Sequence, residues 1–298
     1  MRSIFVECLI RAPIERVWEL TQRPELHQRW DLRFSSIQYL AEDSQASAQR
    51  FLYQTKIGFG LAIAGEGESV GEKEGTDGRR TSALKFWSDD PRALILEGSG
   101  FWQYEPHAKG TLFRTRYDYR TRYGFFGRSA DVVFRPLIGW ATAWSFDALR
   151  LWAERDIQPE LSMLRLKVYA LARGMLVFAW IYQGLVPKLL FPRFDERISR
   201  ASGFDAETAM KITTTAGVVE CSFGLLLLLL WRKRWLLQWQ IPILLLLPMG
   251  LIFNRPSVLT EAFNPVTLNL SMIVLAALAL LASKDLPSAR NCKREQAE

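Results

Sequence analysis

Two hydrophobic rhythms divide this chain. Up to residue 123 the apolar positions fall in short runs broken by glycine, proline and charged residues; beyond residue 166 they fall in blocks close to twenty residues long. The first rhythm begins with SIFVECLI (Ser3 to Ile10), a β-branched, apolar run that reads as a strand. RAPIERVWEL follows. Pro13 suits the first turn of a helix, and Ile14, Val17, Trp18 and Thr21 fall at i, i+3, i+4 and i+7, one buried face. Pro24 restarts the chain as a second short helix ending near Trp30. Strand-like runs then recur near 36–41, 50–57, 62–74, 79–87, 94–104 and 111–123, a spacing that predicts an antiparallel sheet. A long helix closes this part. Val133, Leu137, Trp140, Trp144, Ala148 and Leu151 make one apolar stripe aimed at the sheet, with Ser129 or Asp131 as cap and Pro136 in the first turn or two.

The second rhythm predicts four membrane spans, about 168–187, 212–231, 236–253 and 266–283. Each is near the ~20 residues that cross ~30 Å of hydrocarbon. Arg173 falls close to the start of the first, where a long side chain snorkels. Pro242 and Pro248 break the third, and the fourth carries no charge. The predicted domains are therefore 1–157 and 166–285, with a polar tail at 286–298. The junction between Trp152 and Val168 has no Gly/Ser-rich linker, which places the first domain beside the headgroups.

Charge sharpens this picture. Up to Arg165 there are 23 basic and 22 acidic residues; after it there are 15 and 9, so the net +7 belongs mostly to the apolar half. A basic excess beside apolar segments reads as membrane-flanking charge rather than a nucleic-acid surface, since the first half shows no basic stripe. The turn Arg232–Lys233–Arg234, the tail residues Lys284, Arg290, Lys293 and Arg294, and Arg165 with Lys167 share one side of a four-span bundle. The opposite loop has only Arg255 against Glu261. These balances predict an inner-membrane, multi-pass protein with both termini cytoplasmic. The first twenty residues show no signal peptide, in keeping with that. The three cysteines, Cys8, Cys221 and Cys292, form no CxxC and suggest no disulfide framework.

The element order of the first half, with APIERVWELTQRPELHQRWDLRF carrying an Ala-Pro helix start, a Val-Trp and a Trp-Asp pair, resembles the START/polyketide-cyclase (SRPBCC) superfamily. The resemblance implies an α+β helix-grip domain, an antiparallel sheet around a long C-terminal helix, with a cavity between them for an apolar ligand. Seven of the eleven tryptophans lie before residue 155. Trp18, Trp87, Trp102, Trp140 and Trp144 sit on elements able to face inward, either as a packed core or as a pocket. Arg114, Arg116, Tyr117 and Tyr119 on the last strand are the polar candidates, subject to register, since a one-residue slip turns half of them outward. The ligand-binding candidates are Trp87, Trp102, Arg116, Tyr117, Trp140 and Trp144. His27 and His107 lack a third histidine and an acidic partner at ligand spacing, so no metal site is expected. No Ser-His-Asp or Cys-His arrangement points to nucleophilic catalysis.

In the all-α second half, Glu220 stands eleven residues before Trp231, ~16 Å deeper at ~1.5 Å per residue. A carboxylate facing lipid there is costly, so Glu220 should face other helices, protonated or paired. It is either a structural clasp or a proton-carrying, ligand-orienting group. WIYQGLVPKLLFP, AGVVECSFG and FNPVTLNLS are similar to the motifs of the DoxX-like four-helix membrane family. The resemblance sets Trp180, Pro187, Lys188, Glu220, Asn264, Pro265 and Asn269 at recurring positions. With Tyr182, the polar set is Trp180, Tyr182, Lys188, Glu220, Asn264 and Asn269. The bundle has no histidine and one cysteine, which excludes bis-His haem and iron–sulfur ligation. No cofactor is evident, and quinone binding survives.

Three functions are weighed. The first is a membrane-anchored binding protein for a hydrophobic small molecule or lipid. The second is a quinone- or thiol-linked redox subunit with Glu220 as proton carrier. The third is a structural or regulatory membrane subunit, partnered by another membrane protein and without ligand. Whether the chain is an enzyme stays open at this point.

Overall fold

The computed structural model describes residues 3–40, 48–58, 60–192, 203–254, 256–260, 262 and 264–295. Arg255 and Glu261, used above for loop charge, lie outside them. The chain forms two compact units, Met1–Ser162 with Pro287–Glu298, and Met163–Leu286.

In the first unit, strand β1 (Ile4–Ile10) alternates as the sequence dictates, with Ile4, Val6, Cys8 and Ile10 buried. Two short helices follow, α1 (Ile14–Gln22) and α2 (Pro24–Trp30), separated at Arg23 because Pro24 disfavours a helical residue before it. Strands β2 (Ser36–Tyr39), β3 (Arg50–Gly58), β4 (Leu61–Glu74), β5 (Arg80–Trp87), β6 (Ile95–His107) and β7 (Gly110–Thr121) complete the sheet. Its order is β1-β7-β6-β5-β4-β3-β2, every pair antiparallel. On β7 the odd positions Phe113, Thr115, Tyr117 and Tyr119 are buried while Arg116, Asp118 and Arg120 are exposed, which settles the register.

Helix α3 (Gly124–Arg155) is longer than its apolar stripe predicts. Tyr123 turns through the left-handed region (φ 68°) and the helix starts there, so Pro136 lies inside it rather than in its first turns. Neither expected cap acts as one. Ser129 Oγ donates to Phe125 O at 3.0 Å within the helix, and Asp131 is buried, accepting from Tyr119 Oη at 2.6 Å and Arg135 Nε at 2.7 Å. The stripe faces the core only in its second half. Thr142 to Leu149 are buried, but Val133, Leu137 and Trp140 are 65, 57 and 45% exposed.

The polar tail joins this unit. Glu7 and Lys293 exchange backbone hydrogen bonds at 2.9 Å, so the chain's last part pairs with the free edge of β1. Ser288 N and Asn291 Nδ2 donate to Asp147 Oδ2 at 2.7 and 2.9 Å, and Cys292 is buried beside Ala143 O. A short sequence of polar residues carries no period from which such docking is legible.

The division between the units falls inside helix α4 (Pro159–Gly184). A π-helical turn, Leu185–Leu190, extends α4 around Pro187. Helix α5 (Ala206–Leu229) is capped by Asp205, which accepts from the amides of Glu207 and Thr208. Helices α6 (Arg234–Leu246) and α7 (Met249–Asn254), a 3-10 turn (Pro256–Thr260) and α8 (Pro265–Ala282) follow. Leu176, Trp180, Leu227, Leu236, Leu237, Ala276 and Ala279 form the core. Among the described residues two helices, α5 and α8, are long and apolar enough to cross a membrane. The third predicted span is not one helix. Its 13-residue α6 covers only ~20 Å, and the chain breaks at Leu247–Pro248 because proline has no amide to continue the ladder.

Candidate functional site

In the first unit a cavity of about 490 Å³ opens between the sheet, α3 and the α1–α2 segment. Its size falls within the range of small-molecule sites. Glycines in the sheet let aromatic side chains of its wall pack close. A Cβ on Gly100 would come within 2.3 Å of Tyr117 Cβ, and one on Gly98 within 2.3 Å of the Phe86 ring. The missing side chains let both aromatic residues lie against the sheet. Phe34, Phe86, Phe101, Trp102, Leu137 and Ile138 supply apolar wall.

The polar side of the cavity comes from the segment after α2. Asp31 is buried and receives three bonds from one residue: Arg33 N (3.0 Å) and Nε (2.9 Å) donate to Oδ1, and Nη2 (2.6 Å) to Oδ2. His27, one helical turn earlier, lies 3.1 Å from Asp31 Oδ2. Its ring packs among Trp30, Phe34 and Trp102. His27 and Arg33 both line the cavity. Burial pushes the His27 imidazole below its ordinary pKa more than Asp31 pulls it up. Near neutral pH the ring is therefore uncharged, and Nε2–H donates to Asp31. Burial, the largest influence on Asp31, opposes its charge, but the charge and hydrogen bonds of Arg33 with the bond from His27 outweigh it. The carboxyl stays well below the usual carboxylate range. The Arg33 guanidinium stands 5.5 Å from the Tyr117 ring centroid, and Tyr117 Oη bonds Thr142 Oγ1 at 2.8 Å.

The structure separates the residues the sequence proposed here. Trp102 and Tyr117 line the cavity. Trp144 is buried in the α3 core, outside the lining. Trp87 lies under the Arg50 guanidinium, and Ser82, Leu84 and Phe86 of its strand face the cavity instead. Arg116 points outward and donates to Ser3 Oγ at 2.9 Å. Trp140 is exposed on α3. His27, Asp31 and Arg33 were missed. The sequence assigns His27 no acidic partner, yet Asp31 stands at i+4, the spacing that places two side chains on one helix face. The Trp-Asp pair was legible as a fold signature, and that spacing was the signal for its chemistry.

The second unit holds a polar contact of its own. Lys188 Nζ lies 2.9 Å from Glu220 Oε2, both side chains largely buried. The contact depends on a close helix crossing. A Cβ on Gly184 would come within 2.5 Å of Gly217 O, and one on Gly224 within 2.7 Å of Ile181 Cγ1. The π-helical turn then carries Lys188 to Glu220. Trp180 Nε1 donates to Gln240 Oε1 at 3.0 Å, and Asn269 Nδ2 to Leu244 O at 3.0 Å. Asn264 is the N-cap of α8, accepting from Thr267 N at 3.0 Å. Tyr182 is half-exposed against Phe178. Arg173 does not snorkel. It is 0% exposed, and Nε and Nη2 donate to the last carbonyls of α5, Leu227 O at 3.0 Å and Leu230 O at 2.8 Å. Its Nη1 donates to Tyr169 Oη, which in turn bonds Trp231 O. No group of three or more metal-binding side chains occurs among the described residues.

A cavity unit of antiparallel sheet and long helix thus precedes a helical unit with a DoxX-like segment in one membrane protein. The model of the DoxX-like family matches residues 177–277. Over 298 residues the chain is 36% identical to the Uncharacterized membrane protein YndG of Bacillus subtilis (strain 168), covering 99% of this chain and 98% of that one. The chain belongs to the family of that membrane protein. The first unit is also similar to solved structures. One is the Zhui aromatase/cyclase of Streptomyces sp. R1128 (TM-score 0.39, 13% identity, 53% of this chain and 98% of that one). Another is a STAR-related lipid transfer protein from Xanthomonas axonopodis (0.36, 16%, 48% and 81%). At these scores nothing about this chain follows from what those proteins do.

Proposed function

We propose that the first unit binds an apolar small molecule or lipid, and that the second anchors it as a four-span bundle in the inner membrane with both termini cytoplasmic. The cavity carries this reading: a wall of aromatic and aliphatic side chains around about 490 Å³. Membership in a membrane-protein family supports the anchor. The tail supports an even number of crossings, because residues 287–295 pack on the same unit as β1. Helices α4 and α6–α7 then join α5 and α8 as spans. The Lys188–Glu220 contact supports the clasp reading of Glu220, a carboxylate with its own counter-charge, over a mobile proton carrier.

The test is an inventory of molecules that co-purify with the full chain, by mass spectrometry, beside Ala141→Trp. Ala141 lines the cavity from α3, and indole there would occupy it. Wild type should retain a defined apolar compound that the variant loses. Equal retention by both, or none above a detergent control, overturns the reading.

A further inference from the structure

The cavity wall contains the same device twice. Arg33 and Arg92 both line it, and each is clamped by the aspartate two residues before it. In the second clamp Arg92 N (2.9 Å) and Nε (3.0 Å) donate to Asp90 Oδ1, and Nη2 (2.8 Å) donates to Oδ2. The first has the same three bonds to Asp31 at 3.0, 2.9 and 2.6 Å. Among the described residues no aspartate, glutamate or lysine lines the cavity directly. Each cation in the wall therefore arrives with its own anion behind it, and His27 adds a neutral ring.

We infer that this cavity selects an uncharged molecule with an apolar body and an oxygen acceptor, a ketone, ester or alcohol, and rejects a carboxylate of the same skeleton. The inference rests on the binding function proposed above. A guanidinium has five N–H donors, and each clamp uses two of them on aspartate. The donors left over can bond a neutral oxygen. They cannot offset a second negative charge, because Asp31 and Asp90 already balance the two arginines. A carboxylate would give up its hydration for a site with no cation to spare.

Two probes of equal chain length test this, dodecanol and dodecanoate, radiolabelled, with the full chain held in amphipol at about pH 7.5, where an ordinary carboxyl is ionised. Dodecanol should bind at least about tenfold more tightly. Alcohol would be favoured by any greasy pocket, so the clamps are tested through Asp31→Asn and Asp90→Asn. Each frees one guanidinium charge and should raise dodecanoate affinity while changing dodecanol less, about tenfold at buried Arg33 and by a smaller factor at Arg92, whose side chain is 60% exposed and screened by solvent. If Asp31→Asn does not fold, Asp90→Asn carries the expectation of the same direction. Dodecanoate binding wild type as tightly as dodecanol, or failing to gain in folded variants, overturns the inference and leaves the binding function standing. Absence of binding by both probes removes the binding function and the inference together.

Discussion

Asn269 donates its side-chain amide to the carbonyl of Leu244 at 3.0 Å, and Leu244 is the residue four positions before Pro248. In an unbroken helix that carbonyl accepts from the amide of residue 248, which proline lacks. The same arrangement recurs at Pro187. Lys188 Nζ lies 3.3 Å from Gln183 O, the carbonyl four residues before that proline. At Pro187 and Pro248 a polar side chain thus lies on the carbonyl that the proline leaves without its helical amide.

Replacing Asn269 by Leu should destabilise the full chain by about 1–2 kcal/mol, the cost of a stranded buried acceptor. Pro248→Ala restores the missing amide, so in the double variant most of the loss should return. Thermal unfolding in one detergent measures the cycle. An equal loss with and without Pro248→Ala would show that Asn269 does not act through Leu244.

Glu220→Ala or Lys188→Met alone should cost on the order of 3 kcal/mol, because each leaves one half of a largely buried pair. The double variant should lose less than the sum of the two. Glu207 and Lys211 pair at 2.6 Å, but their side chains are 78 and 73% exposed. Breaking that contact should cost about 0.5 kcal/mol or less. Similar losses at Glu220 and Glu207 would count against the burial of Glu220.

Arg173→Met removes the donor that covers the end of α5, and should lower stability by about 2 kcal/mol or more. Arg173→Lys should recover only part, since one ammonium cannot span two carbonyls and the Tyr169 hydroxyl as a planar fork does. Full stability in the Met variant would refute capping by Arg173.

The first unit should become less stable as pH falls below about 6.5, the ordinary histidine value. Folding depresses the His27 pKa, so between the folded and unfolded values the unfolded chain binds more protons. The stabilisation is complete above the unfolded pKa and is lost as pH falls toward the folded one. Asp31, also depressed, contributes above the unfolded carboxyl value and is lost only at much lower pH. His27→Gln should flatten the melting-temperature profile between about pH 7 and 5. An unchanged slope would assign the effect to another group.

A reporter fused after Glu298 should respond as cytoplasmic, together with one placed before Met1. Opposite signals would require an odd number of crossings and break the proposed topology.

The sequence determined what short-range periodicity encodes. Alternation from Ile4 to Ile10 and along β7 fixed strands, because side chains on a strand change face at every residue. The apolar blocks identified α5 and α8, because a bilayer rewards length and hydrophobicity directly. It also isolated Glu220 as a charge that needs a partner or a proton, without showing that a π-helical turn and three glycines would bring Lys188 to it. The tertiary structure alone decided which tryptophans face the cavity, where the polar tail docks, and that Arg173 caps a helix distant in sequence. It also decided that Arg33 lines the cavity with Asp31 buried behind it, rather than forming a surface pair. The reason is physical: periodicity reports which face of an element is buried, whereas a cavity or a clasp depends on what the opposing element presents, and that is written nowhere in the local pattern.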